Sequence, residues 1–195
     1  MIRFFDIILS LLGLIFLAPI LILVSIWILL DSNRGVFFSQ VRVGKNGKEF
    51  HLLKFRSMRP DSEKAGQLTV GARDPRITNS GRFLRKFKLD ELPQLINVLK
   101  GEMSLVGPRP EVPKYVAMYS PTERKVLNVR PGITDLASLQ YFDENELLAK
   151  SKNPEQTYVQ EIMPAKLQLN QAFIANPTLS AYFSVIFRTV NKIFS

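Results

Sequence analysis

The sequence predicts a mainly α-helical protein with one small β-hairpin, made of a membrane helix over residues 1–31 and a compact domain over residues 32–195. Three observations lead there. Residues 7–30, IILSLLGLIFLAPILILVSIWILL, run without a charge, and about 20 such residues suffice to cross the hydrocarbon core of a bilayer. Asn46-Gly47 divides two stretches rich in β-branched and aromatic residues, the signature of a tight hairpin. Downstream, polar residues followed directly by proline mark helix starts.

The chain has 195 residues, a formal charge of +9 and no cysteine. Arg3 and Asp6 cancel, so the whole excess belongs to residues 31–195. A basic domain beside a membrane segment points to anionic lipid headgroups or phosphorylated substrates ahead of nucleic acid. No zinc, RNA-recognition or helix-turn-helix pattern is present, and aromatic residues are not interleaved with the basic runs for base stacking. The positive-inside tendency puts Arg34, Arg42, Lys45 and Lys48 in the cytoplasm, and a chain without cysteines fits a reducing compartment. A secretory signal is excluded by the length of the apolar run and by DSNRGVFF, which offers no small-residue cleavage site.

Pro19, preceded by Ala18, stands almost midway along the apolar run. It has no N–H for the carbonyl of Ile15, so a kink is expected. Each half is about 17 Å long, which reaches only the middle of a core about 30 Å thick. Geometry therefore permits either a kinked spanning helix or one that enters and returns to the same face.

Beyond the membrane segment, VFFSQVRVGKNGKEFHLLKFRSM reads as two strands. His51 lies in the second with no companions at ligand spacing, and is assigned no chemistry. Residues 59–81 are polar and turn-rich, a surface loop. GRFLRKF, with Phe83, Leu84 and Phe87 at helical spacing, fits a helix on the headgroup boundary or one packed into the core. A helix through QLINVLK should begin near Asp90 and end near Gly101, because Pro93 is comfortable only in a first turn. Ser120 with Glu123, and Asn153 with Pro154, cap two further helices, the second bent by Pro164. The C-terminal LSAYFSVIFRTVNKIF is interrupted by Arg188 and Asn191, and is amphipathic rather than spanning.

The acidic pair Asp90-Glu91 follows a cluster of cations, Arg82, Arg85, Lys86 and Lys88. A helix start stabilises negative charge, so an acidic pair there can be an ordinary cap. Its company argues for more: SLVGPRPEVP holds Arg109 between two prolines, presenting a planar guanidinium fork with little entropy left to lose. Carboxylates among arginines suggest a metal-bridged diphosphate site, since Mg²⁺ binds through one or two carboxylates and substrate phosphates. Phosphorus neutralised in this way is open to attack by a carboxylate. Consecutive residues of a regular helix point about 100° apart, so both acids can serve one phosphorus only across irregular backbone or a bridging metal.

These stretches, an apolar segment with a central proline, KFRSM, GRFLRKFKLDELPQLINVLKGEMSLVGPRPEVP and RPGIT, resemble the monotopic phosphoglycosyl transferases of the bacterial sugar transferase family, in their minimal catalytic-core form. The likeness covers nearly the whole chain. It implies transfer of sugar-1-phosphate from a UDP-sugar to undecaprenyl phosphate with release of UMP, at the cytoplasmic face of the bacterial inner membrane, among inner-leaflet phospholipids. Asp90 is then the nucleophile and the ligand of Mg²⁺, and Glu91 is its partner. Arg85 and Arg109 match positions that contact phosphate or nucleotide. Lys54, Arg56, Glu111 and Arg130 join them as substrate-binding residues with less defined roles. The resemblance also implies a re-entrant helix broken at Ala18-Pro19, with interfacial amphipathic helices around the catalytic domain. Where many members continue with Gly after RPGIT, this chain has Asp135, opening a region that helps select the sugar. The sugar itself is not specified, no nucleic-acid partner is implied, and self-association is left open. The rival readings are a noncatalytic membrane scaffold and a membrane-tethered nucleic-acid binder.

Overall fold

The computed structural model describes residues 1–32, 35–60, 62, 66, 68–71 and 74–194. Arg34 and part of the loop over residues 59–81 lie outside them. Helix α1 (Ile2–Asp31) runs as one helix through Pro19 and is about 45 Å long. Much of its apolar surface is bare, with Phe16 76% and Leu23 67% exposed, which suits hydrocarbon rather than water.

Both ends of α1 are bonded to the rest of the chain. Near its start, Asp6 is buried and its Oδ1 accepts from the Ser104 hydroxyl, the Leu105 N–H and the Tyr182 hydroxyl, each at 2.9 Å. The Arg3 guanidinium donates to the carbonyls of Val98 at 2.7 Å and Leu99 at 3.2 Å. At the other end, Asp31 accepts from the Ser80 N–H at 2.8 Å and the Ser80 hydroxyl at 2.7 Å. A carboxylate so placed also answers the positive start of helix α2 (Asn79–Lys86). Between the ends, Val24 and Ile28 pack with Phe55 and Leu84.

Strands β1 (Phe37–Val43) and β2 (Glu49–Phe55) form the expected hairpin, in antiparallel register from Phe37 opposite Phe55 to Val43 opposite Glu49. Asn46 and Gly47 turn it with φ of 59° and 73°. Phe50, Leu52 and Phe55 point inward, while the ring of His51 lies outside, 3.2 Å from the Ser39 hydroxyl. In α2, Leu84 is fully buried, whereas Phe83 is 45% exposed beside Trp27 of α1, their rings 5.4 Å apart. One residue thus serves the core and the other the apolar surface continuous with α1.

Helix α3 (Gln94–Lys100) starts later than expected. Pro93 precedes its first residue, and Asp90 and Glu91 stand apart in a 3₁₀ turn over Leu89–Glu91. After α3 comes an element the sequence did not announce: β3 (Ser104–Val106) pairs in parallel with β4 (Gly132–Thr134). Between these strands lie α4 (Pro113–Val116) and a 3₁₀ turn over Glu123–Asn128. Ser120 and Glu123 make the expected reciprocal bonds, Ser120 N–H to Glu123 Oε2 at 2.8 Å and Glu123 N–H to Ser120 Oγ at 3.3 Å, but they open this 3₁₀ turn, whose first residue follows Thr122, and not the expected α-helix.

The rest is helical: α5 (Leu136–Gln140), α6 (Glu144–Ala149), α7 (Pro154–Thr157), α8 (Met163–Ala175) and α9 (Leu179–Phe194). Asn153 caps α7 as expected, accepting from the Gln156 N–H at 3.2 Å. Pro164 does not bend a continuing α-helix. A π turn over Tyr158–Ile162 widens the backbone first, and the proline then falls in the opening turn of α8, where its missing N–H does least harm. Helix α9 is amphipathic as expected, with Tyr182 and Val185 buried and Phe187 and Phe194 bare.

Candidate active site

Lys88 begins the site. Its left-handed φ of 54° is rare for a residue with a side chain, and it swings the chain out of α2 into the 3₁₀ turn that carries Asp90 and Glu91. This is the irregular backbone that two adjacent acids need to share one target. Both acids are buried, Asp90 with 4% and Glu91 with 9% of its surface exposed.

The two carboxylates are treated very differently. Glu91 Oε1 accepts from Lys54 Nζ of β2 at 3.1 Å and from the Arg109 guanidinium, which also reaches Oε2 at 3.2 Å. Burial alone would raise the Glu91 pKa, but Arg109 and Lys54 overcome it and hold the group well below the usual carboxylate range. Asp90 Oδ1 is buried with no protein partner. Burial and the neighbouring Glu91 charge push its pKa up, against the pull of Lys54, Arg85 and Lys88. Burial lowers the pKa of Lys54, while Glu91 raises that of Arg109. Glu91 is therefore held as an anion by its two cations, whereas no protein donor engages Asp90 Oδ1.

Arg109 is held by backbone as well as by charge. Its N–H donates to Asp135 Oδ2 at 2.9 Å, and the β3–β4 pair fixes the loop on which it rides. There Gly107 N–H donates to the Thr134 carbonyl and Gly132 N–H to the Pro108 carbonyl, each at 3.0 Å. The chains approach so closely that a Cβ on Gly132 would stand 2.1 Å from the Gly107 nitrogen. Gly132→Ala is thus expected to destabilise the protein by at least about 3 kcal/mol. It should also displace Arg109, to be read as a lowered melting temperature together with reduced turnover.

Two cavities meet beside the acidic pair, which itself lines only the second. The first, about 230 Å³, is lined chiefly by polar side chains, among them Arg42, Arg59, Arg76, Tyr115 and Tyr158. The second, about 460 Å³, is lined by Asp90 and Glu91 together with Leu9 of α1, Leu95 of α3 and Ile186, Val190 and Ile193 of α9. Lys54, Arg85 and Arg109 line both. One compartment suits a phosphorylated, water-soluble molecule and the other an apolar chain.

The remaining sequence-predicted residues fall into two groups. Arg85 reaches the junction and donates to the Thr69 hydroxyl at 3.0 Å. Glu111 lines the polar cavity, accepting from the Tyr158 hydroxyl, with Arg42 at 3.7 Å. Arg56 borders the same cavity but spends donors on the carbonyls of Gly35 and Phe37, both at 3.1 Å, and so ties down the hairpin entrance. Arg130 lies in neither cavity: its Nε donates to the Gly101 carbonyl at 2.8 Å, closing the carbonyl end of α3. Ala18 and Pro19 lie mid-helix in α1, away from the acidic pair.

Sequence reading overlooked Glu144, Asn145 and Lys166, which also line both cavities. Lys166 Nζ donates to Glu144 Oε2 at 2.6 Å. Helices α6 and α8 bring this pair together from 22 positions apart, and no local pattern marks it.

No group of three or more His, Cys, Asp or Glu side chains able to hold a metal occurs among the described residues. A cage made by protein alone is thus absent there, but Mg²⁺ typically takes one or two carboxylates and completes its shell with water and substrate phosphates. The unpartnered Asp90 Oδ1, in the wall of a cavity that Lys54, Arg85 and Arg109 also line, fits that donor set, whereas Glu91 is already engaged.

Comparison with known proteins bears on this site. The family model described as bacterial sugar transferase matches residues 1–195. A candidate undecaprenyl-phosphate N-acetylgalactosaminyl 1-phosphate transferase of Bacillus subtilis is 45% identical over 132 residues, covering 68% of this chain and 70% of that protein. The undecaprenyl-phosphate glucose phosphotransferase of Komagataeibacter xylinus is 46% identical over 144 residues, 70% of this chain and 27% of its own length. The galactosyl transferase CpsE of Streptococcus agalactiae is 42% identical over 145 residues, 69% of this chain and 32% of its own length. The chain thus spans about a third or less of the latter two relatives. Their names carry three different sugars.

Proposed function

The chain belongs to the bacterial sugar transferase family, and on that premise we propose that it transfers sugar-1-phosphate from a UDP-sugar to undecaprenyl phosphate, releasing UMP. The observation that carries this reading is the meeting, at Lys54, Arg85 and Arg109, of a polar, arginine-lined cavity and a larger, more apolar one that holds Asp90. Such a junction brings a soluble donor and a lipid acceptor to one carboxylate.

In this reading the nucleotide and its diphosphate lie in the polar cavity, held by Arg85 and Arg109. An Asp90 oxygen attacks the phosphorus that bears the sugar. A bond forms from that oxygen to phosphorus, the bridging P–O bond breaks, and UMP departs with the electron pair. A lipid-phosphate oxygen then attacks the same phosphorus, and Asp90 leaves again as a carboxylate. Glu91 keeps Lys54 and Arg109 in place through both steps, so cations prepositioned at the phosphorus need no reorganisation. Mg²⁺ bound at Asp90 and the substrate phosphates would neutralise charge on the phosphoryl oxygens.

The polyprenyl tail occupies the apolar cavity between α1, α3 and α9, continuous with the bare apolar faces of α1 and α9. The proposed setting is the cytoplasmic face of the bacterial inner membrane, with inner-leaflet lipids around α1. Because Arg3, Asp6 and Asp31 all bond the same body, both ends of α1 belong on one side of the bilayer, which favours a returning helix over a spanning one. With no native cysteine, an Ile2→Cys thiol is expected to be shielded from a membrane-impermeant reagent added outside intact cells. External labelling would instead make the helix spanning.

The decisive assay is UMP release across several UDP-sugars with undecaprenyl phosphate and Mg²⁺. Failure with every donor would remove the reading; release that depends on both lipid phosphate and metal would support it.

A further inference from the structure

Resting on that reading, the junction of the two cavities also marks the place of the sugar. Its phosphorus must lie against Asp90, in the larger cavity, while the nucleotide on the same diphosphate extends into the smaller one. The diphosphate therefore crosses where the cavities overlap, and the sugar on its second phosphorus lies beside that crossing. Six residues line both: Lys54, Arg85, Arg109, Glu144, Asn145 and Lys166. The first three face the phosphates or Glu91, which leaves the α6 and α8 side chains for the sugar.

Among these, Glu144 and Lys166 form an ion pair at 2.6 Å with side chains only 22% and 11% exposed. Lys166 Nζ also lies over the Tyr158 ring, 5.7 Å from its centre. The backbone at the start of α6 is pinned, since the Asn145 carbonyl accepts from the Gly71 N–H at 2.9 Å. Burying two charges costs several kcal/mol each and is a poor route to stability, so a pair retained at a cavity wall calls for another role. The surroundings supply one. A cleft rich in arginine would draw in any additional anion, including a sugar that carries its own carboxylate.

We infer that Glu144, oriented by Lys166, is a specificity-determining carboxylate of the sugar subsite: it accepts hydrogen bonds from hydroxyls of an uncharged sugar and repels an acidic one. Like charges brought together cost several kcal/mol, enough for discrimination of about 100-fold or more. Removing the Glu144 charge also frees the Lys166 ammonium to pair with a sugar carboxylate.

The test compares kcat/KM for UDP-glucose and its acidic counterpart UDP-glucuronate, using the full chain, undecaprenyl phosphate and Mg²⁺, with UMP affinity measured alongside. The wild type should prefer the uncharged donor by about 100-fold, and Glu144→Gln should reduce that preference at least about 10-fold. Glu144→Asp, which keeps the charge, should retain the exclusion, and Glu144→Gln combined with Lys166→Met should lose the gain toward the acidic donor. A donor ratio unchanged within about twofold in Glu144→Gln overturns the inference. So does loss of UMP binding together with turnover, which would make the pair a structural clamp. No UMP release from wild type with any uncharged donor rejects the transferase reading itself, and the sugar subsite with it.

Discussion

Replacing Asp90 by asparagine is expected to lower transfer by at least about 10⁴-fold, to abolish any covalent phosphosugar adduct, and to raise the melting temperature. The first two follow from removing the attacking oxygen. The third follows from the electrostatics: Asp90 is buried, its Oδ1 has no partner, and its pKa is raised, so the fold disfavours its charge. An uncharged isostere relieves that penalty, so the melting temperature should rise.

The sign can be followed with pH in the metal-free protein. A raised pKa means the folded state holds more protons than the unfolded one between 3.8 and the raised value, so stability declines as pH rises through that window. The advantage of Asp90→Asn should be full above the window and close as pH falls toward 3.8. Thermal melts in chelator over a pH series would check it. A variant less stable than wild type at neutral pH would mean that Asp90 is held by the fold rather than kept free for chemistry.

Arg109→Ala should be damaging in both respects. It removes a two-point clamp from Glu91, leaving a buried anion bonded to Lys54. Breaking a fully buried pair costs about 3–5 kcal/mol; the Arg109 side chain is 31% exposed, so screening reduces this to about 2–3 kcal/mol. That loss depends on pH in the opposite sense to Asp90. Glu91 titrates well below 4.5 in the fold, so its contribution is fully present above 4.5 and lost as pH falls through the lowered value. Turnover should fall about 10²–10³-fold through loss of a preorganised cation. Lysine at 109 should restore little, because a point charge cannot span both Glu91 oxygens. Melting curves and UMP release on the same samples separate the two effects.

What was legible in the sequence was local. Asn46-Gly47 demanded positive φ, the Ser120-Glu123 box needed only three residues' separation, and Asp90-Glu91 stood out against a basic background. The start of α3 was misplaced by four residues because Pro93 fits both a first helical position and the residue just before it. The β3–β4 pair escaped notice because three-residue strands carry no usable period and their partners lie 28 positions apart, Ser104 opposite Gly132. The bond from Arg130 Nε to the Gly101 carbonyl at the end of α3 spans 29 positions and was equally beyond a local pattern. Arg76 is a third case: an unremarkable loop cation, it gathers the carbonyls of Ser62, Gly66 and Leu68 around itself and so shapes one wall of the polar cavity.

The bond from the Tyr182 hydroxyl to Asp6 spans 176 positions. While the ribosome is still making the chain, the first apolar helix can meet lipid long before α9 exists, and until then a carboxylate in that helix waits for a distant hydroxyl. Of the three donors to Asp6, Ser104 and Leu105 are made first and Tyr182 last, so the full set of bonds at this carboxylate needs nearly the whole chain. A transplanted hydrophobic tether would retain attachment but leave Ser104, Leu105 and Tyr182 without their shared acceptor.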